Sequence, residues 1–155
     1  MTLYLACDTS GSMTEAGKLL IIRGVARAVE QYYRLGYRSG EIKLIAWGEG
    51  ARIVNWIPDN EYPPEMLDCK GGLNAEPLIE LLGEQIDGKV LLITDGLWTP
   101  DAAAALKRWK KRLLPDTLRV IKVGADANTQ LKGSDVFSAE DLFAALDGWG
   151  QRGDI

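Results

Sequence analysis

Two short apolar runs, each ending in an acidic residue, constrain the fold of this chain more than any other feature. The runs are TLYLACD at residues 2–8 and KVLLITD at residues 89–95. A short run that is apolar without alternation is typical of a strand buried on both faces of a parallel sheet. The sequence therefore predicts two central strands whose carboxyl ends carry Asp8 and Asp95.

The other predicted elements alternate along the chain as in a doubly wound α/β fold. Helices are predicted where apolar residues recur at three- and four-residue spacing, and Gly48-Glu49-Gly50 between two apolar runs predicts a hairpin. We expect a mostly parallel central sheet with one antiparallel edge strand and helices on both faces. The predicted strands are 2–8, 41–47, 51–57, 88–95, 117–123 and 136–138, and the predicted helices are 14–35, 76–85, 99–114 and 139–146.

Length and composition indicate one ordinary globular domain. The chain has 155 residues, of which 46% are apolar and 26% are charged. We expect a single domain over residues 1–148, followed by a frayed tail over residues 149–155. The net charge of -4 argues against a nucleic-acid partner.

The expected location is the cytoplasm, without a membrane partner. No stretch resembles a signal peptide, and none approaches the roughly 20 apolar residues that span a bilayer. The two cysteines, Cys7 and Cys69, lack a CxxC spacing, and we expect two reduced thiols.

The stretch CDTSGSM at residues 7–13 places an acid and two serines directly after the first strand. Asp8, Ser10 and Ser12 alternate along the backbone, and alternate side chains of an extended segment point the same way. The carboxyl ends of parallel strands lie at one edge of the sheet, where ligands of open α/β sheets bind. We therefore expect Asp95 to join these three side chains.

Three kinds of chemistry could use such a cluster of oxygen atoms. Phosphate binding is disfavoured, because two carboxylates repel a phosphate unless a cation intervenes. A serine nucleophile needs a base, the chain has no histidine, and Lys18 is predicted two turns into a helix. Hydroxyl and carboxylate oxygens suit Mg²⁺ or Mn²⁺, with Ca²⁺ as a further candidate. The donor types therefore favour a divalent metal.

Three motifs together resemble the von Willebrand factor A domain with its metal-ion-dependent adhesion site. They are DTSGSM at residues 8–13 after the first strand, Gly71-Gly72 before a helix, and TDG at residues 94–96 after a later strand. The resemblance covers nearly the whole chain, since the order of strands and helices also fits. It implies that the two serines bind the metal directly and that the two acids act at least partly through water.

The sequence departs from this family at one position. The family places a metal-binding threonine just after the two glycines, and this chain has Leu73 there. Three readings stay open: a water molecule fills the position, Asn74 or Glu76 reaches into the site, or metal binding is lost and the fold docks by shape alone.

The resemblance implies an interaction module rather than an enzyme. It would bind an aspartate or glutamate of a partner protein through the metal. The small intracellular bacterial members that the chain resembles work in multi-component systems, beside AAA+ ATPases of the MoxR type or in stress or defence. A metal-dependent hydrolase or phosphatase and a metal-free scaffold are the alternative hypotheses.

Two side features bear on the partner. Trp98 follows TDG and is a candidate partner-binding residue, with core packing as the competing role. The basic stretch KRWKKR at residues 107–112 is expected to be a solvated helix face rather than an anion-binding patch.

Overall fold

The computed structural model describes residues 1–36, 40–57 and 60–149, which form a six-stranded sheet covered by helices. The short apolar runs are strands, and the segments with helical spacing are helices. The strands are β1 (Thr2–Asp8), β2 (Glu41–Trp47), β3 (Ala51–Val54), β4 (Gly88–Thr94), β5 (Leu118–Lys122) and β6 (Val136–Ser138). The helices are α1 (Lys18–Leu35), α2 (Ala75–Leu82), α3 (Pro100–Arg112) and α4 (Leu142–Leu146).

The strand order is β3-β2-β1-β4-β5-β6, and it confirms the predicted fold class. β3 is antiparallel to β2, and every other neighbouring pair is parallel. β1 pairs with β2 on one side and with β4 on the other, so the chain order reverses beside β1. The two runs that end in acids are adjacent central strands.

Each face of the sheet is covered by a separate apolar layer. α1 and α4 cover one face, and α2 and α3 cover the other. The long runs without polar alternation in β1 and β4 follow from this, because both faces of these strands are buried. Fully buried residues include Leu5, Ile22 and Leu91 in the first layer and Ile45, Leu78 and Trp109 in the second.

The first helix starts later than predicted. Residues Gly11–Thr14 form a short 3-10 turn, and α1 begins only at Lys18. Ala16 and Gly17 separate the two with left-handed backbone angles, φ 55° and 72°. The expectation that Lys18 lies two turns into a helix was therefore wrong, because this reversal makes it the first residue of α1.

Several other boundaries differ from the prediction by a few residues. β3 ends at Val54 rather than at 57, and α2 ends before Gly83, whose φ of 70° favours glycine. The helix predicted over 139–146 is a 3-10 turn, Ala139–Asp141, followed by α4. A further 3-10 turn, Pro64–Leu67, lies between β3 and α2.

The packed part of the chain extends to at least Trp149. This residue was expected to begin the frayed tail, but its side chain is buried and its Nε1–H donates to the carbonyl of Asp116 at 2.7 Å. Residues 150–155, the rest of that predicted tail, lie outside the described residues. No helix in the described ranges has the length and apolar character needed to cross a bilayer.

Candidate metal centre

Asp8, at the end of β1, is held by neutral donors. Its Oδ1 accepts hydrogen bonds from the backbone N–H of Ser10 at 2.8 Å and from the Ser10 hydroxyl at 2.6 Å. Its Oδ2 accepts a hydrogen bond from the Thr94 hydroxyl at 2.6 Å. Burial raises the pKa of Asp8, and the hydrogen bonds from Ser10 and Thr94 oppose that rise.

Asp95 follows β4 and is held differently. Its Oδ2 accepts a hydrogen bond from the Ser12 hydroxyl at 2.7 Å and one from the Lys18 ammonium at 3.0 Å. Its Oδ1 accepts from the backbone N–H of Leu97 at 3.0 Å. Because both oxygens of Asp95 already accept hydrogen bonds, this carboxylate is suited to positioning the serine hydroxyl rather than to binding an ion directly.

Lys18 is a buried cation at the candidate site. Its side chain is fully buried, and its Nζ donates to Asp95, to Asp126 at 2.9 Å and to the carbonyl of Ser12 at 3.1 Å. Burial acts to lower the pKa of Lys18, but the hydrogen bonds and charges of Asp126 and Asp95 outweigh it, and the pKa lies above its usual value. Lys18 is therefore a charged ammonium that neutralises part of the acidic cluster.

Sequence reasoning missed the role of Lys18. Its partners Asp95 and Asp126 lie 77 and 108 residues away along the chain, so no local motif links them. The only local signal is the pair Ala16-Gly17, which lies between the 3-10 turn and Lys18.

The hydroxyls of Ser10 and Ser12 converge as predicted, with their oxygen atoms 3.4 Å apart. The Ser10 hydroxyl donates its proton to Asp8, and the Ser12 hydroxyl donates its proton to Asp95. We call these two parts of the site the Asp8 arm and the Asp95 arm. The lone pairs of both oxygens are thus available to a cation. Adjacent ligands of an octahedral Mg²⁺ lie about 3 Å apart, so the spacing fits a pair of neighbouring metal ligands.

The donor set rests on hydroxyls rather than on a cluster of carboxylates. In the part of the chain that the structure describes, no three His, Cys, Asp or Glu side chains are grouped so that they could hold an ion. This composition excludes a zinc site of the usual nitrogen and sulfur type, and it suits a hard ion that retains several waters.

The loop that carries Gly71 and Gly72, which we call the third loop of the site, lies against the loop of residues 8–13. The N–H of Gly11 donates to the carbonyl of Gly71 at 2.9 Å. Gly71 has a φ of 72°, a left-handed conformation that favours glycine, and a side chain there would displace the carboxylate of Glu49. Leu73 follows, 9% exposed, and packs with Trp47 in the apolar layer under α2 and α3. The loop is in place, but Leu73 offers no oxygen.

Neither substitute for the missing threonine is bonded to the site. Asn74 is exposed, and its side-chain Nδ2 donates to the carbonyl of Glu49 at 3.1 Å. Glu76 is exposed in the first turn of α2. Of the three readings of this position, recruitment of Asn74 or Glu76 is the one that would require these contacts to rearrange.

Trp98 is packed into the protein. Its ring is half-buried, its centroid lies 6.1 Å from that of Trp47, and its Nε1–H donates to Thr94 Oγ1 at 3.1 Å. Because Thr94 also donates a hydrogen bond to Asp8, Trp98 helps to hold Thr94 in position beside the candidate site. The neighbouring Leu97 is 47% exposed and is the apolar side chain that faces solvent at this rim.

Sequence comparisons identify no family for the chain. No protein-family model matches it, and no curated protein is similar to it.

Comparison of structures is informative. A von Willebrand factor type A protein from Catenulispora acidiphila superposes with a TM-score of 0.53 at 18% identity, over 96% of this chain and 36% of that one. The chain has the von Willebrand factor A fold.

Other solved structures share this von Willebrand factor A fold. Proximal thread matrix protein 1 from the mussel byssus, whose metal-ion-dependent adhesion site is occupied by zinc, has a TM-score of 0.56 at 14% identity, over 94% of this chain and 44% of that one. An aerotolerance-related membrane protein from Bacteroides fragilis has a TM-score of 0.52 at 18% identity, over 80% and 67%. The chain spans between 36% and 67% of the length of these three structures, and at such identities the likeness concerns the fold alone.

Proposed function

We propose that this protein is a non-enzymatic interaction module that binds an aspartate or glutamate of a partner protein through a divalent ion, Mg²⁺ or Mn²⁺. The observation that carries the proposal is the approach of the Ser10 and Ser12 hydroxyl oxygens to 3.4 Å, each with its proton directed to an acid. The mussel protein with an occupied site on the same fold supports it. When bound, the ion supplies an electrophilic position that a partner carboxylate can occupy.

The serines, the aspartates and the lysine of this site have separate roles. Ser10 and Ser12 provide neutral oxygen ligands, which leave the charge of an ion largely uncompensated. Asp8 and Asp95 orient these hydroxyls and accept hydrogen bonds from water around the ion. Lys18 offsets one of the three negative charges of Asp8, Asp95 and Asp126, so that an incoming carboxylate meets a site that is less acidic than these three acids alone would make it. A water molecule would take the position of the family's threonine beside Leu73.

The biological setting follows from the resemblance. We propose a cytoplasmic role in a bacterial multi-component system, beside a MoxR-type AAA+ ATPase or in stress or defence. The partner would contribute the carboxylate, and neither nucleic acid nor membrane would be bound.

A metal-free scaffold is the second candidate, and the buried ammonium favours it. Because Lys18 already pairs with Asp95, this arm of the site is assembled without an ion. The hydrolase alternative gains nothing from Lys18, since a lysine with a raised pKa is protonated at neutral pH and cannot serve as a base.

The proposal is tested by capturing the partner with tagged wild-type protein and with Ser10→Ala, in magnesium and in excess chelator. We expect capture by the wild type in magnesium, and loss of that capture in chelator and in Ser10→Ala. Ser134→Ala, at an exposed serine away from the site, is the matched control. Capture that survives both chelator and Ser10→Ala would favour the metal-free scaffold.

A further inference from the structure

The connection between β5 and β6 lacks the helix that joins β4 to β5. The strands are parallel neighbours, with Val120 opposite Val136, and residues 123–135 between them contain only turns and irregular segments. Parallel neighbours are normally joined by a crossover helix, and such crossovers are right-handed. Because β4, β5 and β6 succeed each other in one direction across the sheet, a helix in this connection would lie beside α3 on the same face.

A groove of about 360 Å³ occupies that position. Its floor is apolar, formed by Leu92 and Val120 of the sheet and by Leu106 of α3, and Val136 of β6 closes its far side. We call it the α3–β6 groove. The groove lies where a crossover helix would lie in a complete doubly wound sheet.

The mouth of the α3–β6 groove is basic, although the chain as a whole carries a net charge of -4. Lys107, Lys110 and Lys132 lie at its margin, and Lys110 pairs with Asp135. Lys107 and Lys132 are exposed and form no ion pair with another residue of the described ranges. Lys107 and Lys110 of the KRWKKR stretch are exposed, as expected for a solvated helix face, and they also line the groove.

One end of the α3–β6 groove lies next to the candidate metal centre. Asn128 lines it, and the backbone N–H of Asn128 donates to the carbonyl of Asp95 at 2.9 Å. The side chain of Asn128 donates to the carbonyl of Gly96, also at 2.9 Å. A partner that reaches the rim at Asp95 is thus adjacent to one end of the groove.

From these observations we propose that the α3–β6 groove docks an acidic amphipathic helix of a partner protein. The apolar floor accepts one face of such a helix, as in other helix-in-groove complexes. The lysines at the mouth complement acidic residues on its flanks, which favours an acidic over a basic helix. Docking in the groove requires no ion, because none of the candidate metal ligands lines it, so it can be tested separately from the proposed metal site.

The test uses a synthetic amphipathic helix with leucines at every third and fourth position and glutamates on its flanks. It is titrated into the ¹⁵N-labelled protein in excess chelator and followed by NMR. We expect the amide signals of Leu131 and Val136 to shift, and the same peptide with lysines in place of the glutamates to leave them unchanged.

Charge reversal supplies matched variants on the same surface. Lys107→Glu with Lys132→Glu is expected to weaken binding of the acidic peptide about tenfold or more, which is about 1.4 kcal/mol. Arg108→Glu with Lys111→Glu reverses the same charge at exposed positions of α3 that do not line the groove. It is expected to change binding by less than about threefold, since salt screens charges beyond about 8 Å. Ala103→Trp, which fills the groove from an exposed position, is expected to abolish binding.

Five outcomes would overturn the proposal. The acidic peptide leaves the groove signals unchanged, or it binds both charge-reversed variants equally. Alternatively, sedimentation shows the wild-type protein to self-associate through this face, which assigns the groove to a second copy. Finally, anionic phosphatidylserine vesicles shift the same signals while the peptide does not, which assigns it to a lipid surface. Binding that needs magnesium would also count against it, whereas failure of the metal site alone would leave it intact.

Discussion

Asp8 and Asp95 lie at the same rim of the sheet, at the ends of adjacent strands, and are held by different means. Asp8 is bonded by hydroxyls and a backbone amide, two of them from Ser10. Asp95 is bonded to the buried ammonium of Lys18, which also reaches Asp126. One arm of the site is thus assembled by neutral hydrogen bonds and the other by an internal cation. The difference suggests that the Asp95 arm depends more on distant parts of the chain.

The largest expected effect is that of Lys18→Met. The substitution leaves Asp95 as a buried carboxylate without its counter-charge, and breaking a buried pair in this way costs about 3 to 5 kcal/mol. We expect the free energy of unfolding, measured by urea denaturation, to fall by at least about 3 kcal/mol. Lys132→Met, at an exposed lysine, is the control and should change it by less than about 0.5 kcal/mol.

Asp126→Asn separates the contributions of the two ion pairs that Lys18 forms. Asp126 is 44% exposed, so its pairing with Lys18 is screened by solvent and its loss should cost about 1 kcal/mol or less. If Lys18→Met costs no more than Asp126→Asn, the ammonium does not support Asp95 and the contrast between the two arms fails.

Thr94→Val tests the neutral arm and should have a smaller effect. The hydroxyl of Thr94 donates to Asp8 and accepts from the N–H of Gly96 and from the indole of Trp98. Valine leaves these buried groups unpaired, and we expect a loss of about 2 kcal/mol in the free energy of unfolding. The exposed Thr129→Val is the control. A loss greater than that of Lys18→Met would reverse the proposed order of the two arms.

Leu73→Thr tests whether a side chain of the third loop can contribute to ion binding together with the Asp8 and Asp95 arms. A hydroxyl at this position restores the ligand that the family carries, so the Kd for Mg²⁺ is expected to fall about tenfold, or about 1.4 kcal/mol. Calorimetric titration measures it, and Leu97→Thr, at an exposed leucine of the same rim, is the control. An unchanged Kd in a folded Leu73→Thr protein would show that this loop does not reach the ion.

The smallest effect concerns Cys69, near the Asp8 arm. Burial raises the pKa of Cys69 to about 11, and the charges of Asp8 and Asp68 add to the rise. The rate of reaction with a thiol reagent should therefore increase about tenfold per pH unit up to pH ~10, because the thiolate is the reactive form. Loss of this reaction in Cys69→Ser would show that it takes place at Cys69. A rate that levels off near pH ~9 would indicate an ordinary thiol and an Asp8 arm more open to water.

The fold and the Asp8 arm could be predicted because their signals are local. The apolar runs that end in Asp8 and Asp95 specify central strands, and the spacing of Asp8, Ser10 and Ser12 places three oxygen atoms together in an extended segment. The spacing of hydrophobic residues specified the helices to within a few residues.

The place of Asp95 at the site could be predicted, but its pairing with Lys18 could not, because that contact is set by tertiary structure. The reversal at Ala16 and Gly17 brings Lys18 to the site, and a helical pattern read from residue 14 hides it. The α3–β6 groove depends on a missing helix, and a turn-rich segment between two short strands does not reveal which sheet face it leaves open.

The most direct test of the account is calorimetric titration of Mg²⁺ and Mn²⁺ into the wild-type protein and into the Ser10→Ala, Ser12→Ala double variant, with Ser134→Ala as control. We predict one ion bound per chain in the wild type and in the control, and none in the double variant. Absence of binding to the folded wild type at millimolar ion, or equal binding to the double variant, would contradict the claim that these two hydroxyls hold a divalent metal.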